Sequence, residues 1–334
     1  MLKNIICLKI ALIGYGSIGK RHVSNLLRMP NVEIIICTKQ KIKNPSIKKI
    51  KIVKCISDCL KEKPDIGIIS NESSYHVKVA IKLANEGVDL FIEKPLSNSL
   101  VGTKELLRII KKNNLITQMG CQLRFHKCIK EIKQLISSKK LGKIISVRAE
   151  CGSYLPDWHP SEDYTKSYAS KKKLGGGVVL TNIHEIDYLY WFFGEIIEVF
   201  SIVKNSGSLK ISADDFGVGL LKFKNNIIGE IHLDYLQKPE NRNCKIIGTK
   251  GTLVWESKTN IVKWFDNEND KWIKVFKWNN YDRNLMFKEE INQFINCVNN
   301  RKKSINPIET DGLITTKIAL AMIKSSKARK MIKI

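Results

Sequence analysis

Over its first third the chain alternates short apolar runs with stretches of helical periodicity. Residues 9–13 (KIALI), 32–38 (VEIIICT), 51–56 (KIVKCI), 64–70 (PDIGIIS), 89–95 (DLFIEKP) and 115–120 (LITQMG) read as strands. Between them lie a helical pattern that runs through Leu27, a helix over 57–63, one over 74–87 that ends on a glycine, and one over about 99–112. The strands are apolar throughout and do not alternate, as expected of strands covered on both faces. The pattern predicts an α/β domain, a doubly wound parallel sheet of Rossmann type. The lysine-rich segment after the second strand reads as loop and surface.

The pattern changes near residue 121. A helix (127–138) and a long alternating strand (143–154) are followed by a polar, aromatic-rich loop to about 174. Residues 175–194, GGGVVLTNIHEIDYLYWFFG, read as one apolar helix behind three glycines that make room at its start. From 196 to 276 short strands recur between turn signals such as KNN and NEND, then helices over 285–299 and 310–330 close the chain. This predicts a second, α+β domain with a large, mostly antiparallel sheet open on one face. The expected division is 1–121 for the first domain and 122–334 for the second, with a C-terminal helix able to pack back on the first domain.

Composition narrows the function classes. The 334 residues carry 57 Lys+Arg against 32 Asp+Glu, a formal charge of +25. The excess is lysine spread along the whole chain, alongside much isoleucine and asparagine, as AT-rich coding produces. No zinc finger, helix-turn-helix or RNP-like motif accompanies it, so attraction of an anionic cofactor or substrate is expected, not specific nucleic-acid binding. None of the nine cysteines forms a CxxC pair, and Cys55 and Cys59 have no partners for a zinc site, so free thiols and no metal are expected. The N-terminal MLKNIICLKIALIGYGSIG lacks a signal-peptide cleavage site, and no apolar run is long enough to span a bilayer. A cytoplasmic protein with no membrane partner is the expectation.

Three motifs carry chemistry. Gly14, Gly16 and Gly19 form GxGxxG between the first strand and first helix, where the helix start (Ser17, Ile18) offers N–H groups to a pyrophosphate. About 20 residues on, an acidic residue would bind the ribose hydroxyls of NAD. Thr38 and Lys39 stand there instead and favour NADP(H) over NAD(H). Glu93 and Lys94 sit before Pro95 at the C-terminal edge of a parallel strand, where ligands bind such sheets, and the proline holds Lys94 extended. His184, with Asp187 three residues later, lies in the apolar segment. Oxidising a secondary alcohol takes a base for the hydroxyl proton, which a histidine suits, and a cation such as Lys94 for the developing alkoxide.

GxGxxG, the SNESSYH segment (70–76), E-K-P, GGG…HEID, GTKGTLVWE (248–256) and the C-terminal EINQF…ETDGLITTKIALAMIKSS together resemble the Gfo/Idh/MocA family, the glucose–fructose oxidoreductase and inositol dehydrogenase group. The resemblance covers nearly the whole chain. It implies an NAD(P)-dependent oxidoreductase acting on hydroxyl or keto groups of sugars, cyclitols or nucleotide sugars. It further implies that Lys94 polarises the substrate oxygen, that His184 is the acid/base group, and that Ser70, Asn71 and His76 lie on the cofactor, His76 near the nicotinamide ribose. Many members carry an aspartate four residues before the histidine. Here Leu180 and Thr181 fall in that region, so a Lys–His pair is expected without a triad carboxylate.

The loop YLPDWHPSEDYTKSY (154–168) is similar to a sub-branch associated with surface-carbohydrate biosynthesis. Trp158, His159 and Tyr164 are its candidate sugar contacts, and a folded interface loop is the other reading. Arg124 is a candidate partner for a substrate carboxylate or phosphate, and Thr181 is a further candidate for substrate binding. The expected partners are a small-molecule sugar or nucleotide sugar and further copies of the chain in a homo-oligomer. A non-catalytic dinucleotide sensor on the same fold is the alternative, against which the retention of both Lys94 and His184 argues.

Overall fold

The structure, a computed structural model, describes residues 7–42 and 50–334. Part of the lysine-rich segment (43–49) and the start of the N-terminal stretch lie outside the described residues. Six parallel strands form the first sheet: β1 (Leu8–Ile13), β2 (Val32–Cys37), β3 (Ile50–Val53), β4 (Ile66–Ile69), β5 (Asp89–Glu93) and β6 (Thr117–Gly120). Their order is β3-β2-β1-β4-β5-β6, which places the switch of direction between β1 and β4. The helices α1 (Ser17–Leu26), α2 (Ile56–Lys61), α3 (His76–Asn85) and α4 (Thr103–Lys112) connect the strands. Two apolar clusters account for the continuous runs in the strands. Ala11, Ile13, Ile35, Ile69 and Ile92 meet Ala80, Leu83, Leu106 and Ile109 in one; Ile10, Leu12, Ile34, Ile68 and Phe91 meet Val23 and Leu26 in the other.

The second sheet has nine strands. In chain order its elements are α5 (Lys127–Ser137), β7 (Ile144–Gly152), α6 (Val178–Thr181), α7 (His184–Phe193), β8 (Ile196–Lys204), β9 (Phe216–Phe223), β10 (Ile228–Asp234), β11 (Asn241–Gly248), β12 (Gly251–Glu256), β13 (Ile261–Asp266) and β14 (Lys271–Lys277). The helices α8 (Arg283–Asn299) and α9 (Leu313–Ala328) and the short β15 (Ile332–Lys333) follow. The order is β14-β13-β12-β11-β7-β10-β9-β8-β15, antiparallel except for the β7–β10 pair. Ile129 and Ile132 of α5, Ile186 and Leu189 of α7 and Ile318 and Met322 of α9 share one apolar cluster with Val147, Ile231, Ile246 and Leu253 of the strands. Phe200, Ile202, Leu220, Ile228 and Ile247 remain exposed on the sheet.

The chain forms two compact units whose boundaries differ from a single cut at residue 121. Phe287–Leu313 belongs with the first unit, and the second runs over Gln122–Met286 and Ile314–Ile334. The physical reason is that Ile291, Phe294, Cys297 and Val298 join the cluster of β1 and β2, where Phe294 meets Phe91 edge to face at 5.6 Å. The following segment is tied to β6: Met119 N–H donates to Asn306 O (2.8 Å) and Ser304 Oγ to Thr117 O (2.6 Å). The last helix, α9, packs in the core of the second unit. The single helix expected over 178–193 is two, interrupted at Asn182 and Ile183. Its glycines fit close packing, not open space. A Cβ on Gly177 would lie 2.5 Å from Asp214 Oδ1, and one on Gly176 would meet the carbonyl oxygens of Tyr168 and Ala169.

Candidate functional site

In the first unit the glycine turn is built for close approach. Gly14 has φ +96°, and a Cβ there would fall 2.6 Å from the backbone nitrogen of Asn71 at the end of β4. Gly19 lets α1 sit directly on the Gly14 carbonyl. Gly16 is different: its Cβ would meet no protein atom within 4 Å. Gly16 caps α1 without a side-chain hydrogen bond, and no acidic residue occupies the first turn. Ser17 is exposed and Ile18 half-buried, so the positive end of the helix is open beside a residue that protein packing alone does not require to be glycine. A dinucleotide pyrophosphate fits this cradle. Ser70 serves the turn itself, donating from Oγ to Gly14 O at 2.9 Å.

At the end of β2, Thr38 is buried and its Oγ1 accepts from Gln40 N–H (3.1 Å), while Lys39 is exposed. At the end of β5 the two residues of the E-K pair diverge. The Glu93 carboxylate is buried and meets His22 of α1, Oε1 to Nε2 at 2.7 Å. Gly120 leaves it room, since a Cβ there would lie 3.1 Å from the carboxylate. Glu93 is therefore seated inside the unit, between α1 and the strands. Lys94 follows it half-buried, ahead of a cis Lys94–Pro95 bond.

His76 is 1 % exposed, with Nδ1 2.9 Å from Pro95 O and Nε2 2.9 Å from Asn71 O. Burial pushes its pKa below the usual histidine value although both carbonyls favour the proton. The imidazole ties the end of β4 to the turn after Lys94.

In the second unit His184 is the first residue of α7 and is buried. Its Nε2 lies 3.2 Å from Nε2 of Gln122. Asp187, one turn on, receives a bidentate grip from Arg124: Nε to Oδ2 at 2.9 Å and Nη2 to Oδ1 at 2.8 Å. Both residues are 1 % exposed, and the guanidinium lies over the Trp191 ring at 5.5 Å. Arg124 thus spends Nε and Nη2 on Asp187. Glu185, fully buried, pairs with Arg242 (Oε1 to Nε, 2.8 Å). Arg242 also donates to Cys151 Sγ at 3.0 Å, and burial drives that thiol up to about 12. Thr181 is buried on α6.

The 154–168 loop splits. Trp158 is half-buried, donates from Nε1 to Ser153 Oγ (2.9 Å) and meets Tyr235 edge to face at 5.3 Å. Tyr164 accepts a long hydrogen bond from Lys210 N–H (3.4 Å), and His159 is exposed. Gln122, His22 and the Glu185–Arg242 pair escaped the sequence reading. His22 lies three residues past Gly19, a spacing that places it on the buried side of α1; nothing local marks Gln122 or Arg242. Among the described residues no group of three or more His, Cys, Asp or Glu is placed to hold a metal. No described helix is long and apolar enough to cross a membrane.

An open glycine-turn helix on a 3-2-1-4-5-6 sheet, followed by a large mixed sheet, defines a two-unit dinucleotide-binding protein. Residues 8–121 match the model of the oxidoreductase family with an NAD-binding Rossmann fold, GFO_IDH_MocA, and residues 129–254 match the GFO/IDH/MocA C-terminal domain. The chain belongs to the GFO/IDH/MocA family of oxidoreductases. It is 26 % identical over 269 residues to the uncharacterized oxidoreductase YrbE of Bacillus subtilis, covering 75 % of this chain and 74 % of that one. The myo-inositol 2-dehydrogenase of Lactobacillus plantarum shares the fold with a TM-score of 0.82 at 23 % identity, over 98 % of this chain and 99 % of that one. The WlbA dehydrogenase of Bordetella pertussis, solved with NADH and UDP-GlcNAcA, also gives 0.82, at 20 % identity over 99 % and 98 %.

Proposed function

We propose that the chain transfers a hydride between a nicotinamide cofactor and a hydroxyl or keto carbon of a sugar or nucleotide sugar, in surface-carbohydrate biosynthesis. The observation that carries this reading is the uncapped start of α1 behind Gly14, Gly16 and Gly19, on the same sheet whose β5 ends in Lys94. The GxGxxG turn and α1 start would hold the pyrophosphate, Thr38 and Lys39 the adenosine ribose, and the end of β4 at Ser70 and Asn71 would flank the cofactor. The bound nicotinamide supplies the hydride chemistry. Lys94 stabilises the alkoxide, and His184 takes up or returns the hydroxyl proton.

The hydroxyl of Thr38 and the exposed ammonium of Lys39 suit a 2′-phosphate and favour NADP(H). UDP-GlcNAcA in the WlbA structure makes a nucleotide sugar one substrate class to try. Trp158, His159, Tyr164 and Thr181 are the proposed sugar contacts, and the exposed face with Phe200, Ile202 and Leu220 is where a second copy would pair. In the test, NADPH and NADH are titrated by fluorescence and turnover is screened over inositols and nucleotide sugars. Lys94→Ala and His184→Ala should keep cofactor binding and lose turnover by on the order of 100-fold or more. Unchanged turnover refutes the site, tighter NADH binding refutes the NADP(H) preference, and cofactor binding without turnover on any substrate favours a sensor.

A further inference from the structure

His22 lies on the buried side of α1, against Phe91 and Glu93, which stand two apart on β5 and so share one face of the strand. Its ring meets Phe91 edge to face at 5.4 Å and places Nε2 2.7 Å from Glu93 Oε1. His22 is 0 % exposed and Glu93 7 %. A carboxylate only accepts, so Nε2 donates. Turning the ring over would present carbon to the carboxylate and lose the contact. Glu93 is the last residue of β5 in register with β6, opposite Gly120, and Lys94 follows it out of the ladder. One residue further on, Pro95 O lies 2.9 Å from Nδ1 of His76, the first residue of α3. The Lys94 backbone thus leaves the sheet between a residue held by α1 and one in contact with the start of α3.

Packing alone does not account for this pair. Apolar side chains of similar volume would fill the same space without desolvating an imidazole and a carboxylate, and such replacements of buried pairs are often neutral or stabilising. What the pair adds is a directional bond between two elements with separate tasks. The start of α1 is the proposed seat of the pyrophosphate, and Lys94 makes the proposed alkoxide contact. A lysine ammonium rides on a long flexible stem, so its aim depends on where its backbone is anchored. We propose that His22 and Glu93 are positioning residues that lock the Lys94 backbone to the cofactor helix and so set the lysine relative to the bound nicotinamide. The consequence for turnover rests on the function proposed above, but the hold on the turn does not.

The test is hydrogen–deuterium exchange of the amides over 94–98 in the full-length protein, alongside turnover. Glu93→Leu removes the acceptor and should lose protection there by about tenfold or more, and His22→Leu should do the same. Glu93→Gln keeps an acceptor for Nε2–H and should hold protection near wild type. If either leucine variant loses its folded thermal transition, the double variant His22→Leu/Glu93→Leu takes its place, since it strands neither group. Protection over 94–98 should stay lost in the double variant, whereas a pair that serves only packing would let it return. On whichever substrate is turned over, Glu93→Leu should lower kcat by on the order of tenfold or more with KM changed less than about threefold, and Glu93→Gln should recover most of that loss. Protection unchanged in the leucine variants or restored in the double variant overturns the proposal, as does a loosened turn with kcat unaffected. If no substrate is found, the proposed function fails while the exchange result still decides whether the pair holds the turn.

Discussion

Removing Arg124 should damage the stability of the second unit more than it damages binding of any ligand. Its guanidinium has 0 % side-chain exposure and makes two parallel hydrogen bonds to Asp187, at 1 %. Deleting one member of such a pair leaves a buried charge without compensation and costs about 3–5 kcal/mol. Unfolding of a unit of this size shifts by about 2–4 °C per kcal/mol, so Arg124→Met should lower the melting temperature by on the order of 10 °C. Asp187→Asn should do comparable harm by stranding the arginine. Arg124→Lys should fall between, because an ammonium cannot reproduce the fork and loses contact with the Trp191 ring. The double variant Arg124→Met/Asp187→Leu should recover most of the loss, since apolar side chains of similar volume carry no desolvation penalty. Circular dichroism melts of the four variants measure this. An Arg124→Met protein that melts within about 1 °C of wild type while substrate affinity collapses would refute the reasoning and return Arg124 to the substrate.

Much of the first unit was legible because its determinants are local. Six apolar runs, the helical periods between them and GxGxxG all lie within short windows, and each strand repeats the same message. The second unit was legible as strands and turns, but its pairings were not. The parallel β7–β10 contact and the placement of β15 at the sheet edge join residues far apart in sequence. The return of 287–313 to the first unit was hidden for the same reason: the apolar stripe of Ile291 and Phe294 fits either core equally well. At the candidate site, His184 and Asp187 could be singled out because titratable groups in an apolar segment are conspicuous. Their partners could not, since Gln122 and Arg124 lie about 60 residues earlier in an unremarkable stretch. The break at Asn182 was masked by apolar residues on every side of the segment, which leaves no period to interrupt.

Two further outcomes follow from the same geometry. Gly14→Ala should abolish dinucleotide binding and reduce stability, because the residue has φ +96° and a Cβ would strike the Asn71 backbone. Gly16→Ala should fold normally and lose only cofactor affinity, and titration against thermal melting separates the two. The second outcome is a pH dependence at β10. His232 Nε2 lies 3.0 Å from Asp234 Oδ2, and that hydrogen bond, against partial burial, raises the histidine above its ordinary value. Burial pushes Asp234 up, but His232 and the Leu236 and Gln237 N–H groups outweigh it and leave its carboxyl below the usual range. A histidine raised on folding contributes stability that is complete below its unfolded pKa of about 6.5 and lost as pH climbs through the folded value. A depressed aspartate contributes stability present above its unfolded value of about 3.9 and lost as pH falls through the folded one. The pair is therefore at full strength between about pH 4 and 6.5. With the imidazole 37 % exposed at its side chain, solvent screening keeps the contribution to about 1 kcal/mol or less. Melting curves of His232→Gln and wild type should differ most near pH 5.5 and converge by about pH 9. A gap that stays constant or widens on the alkaline side would mean that the contact with Phe216, at 5.3 Å, and not the charge, is what His232 contributes.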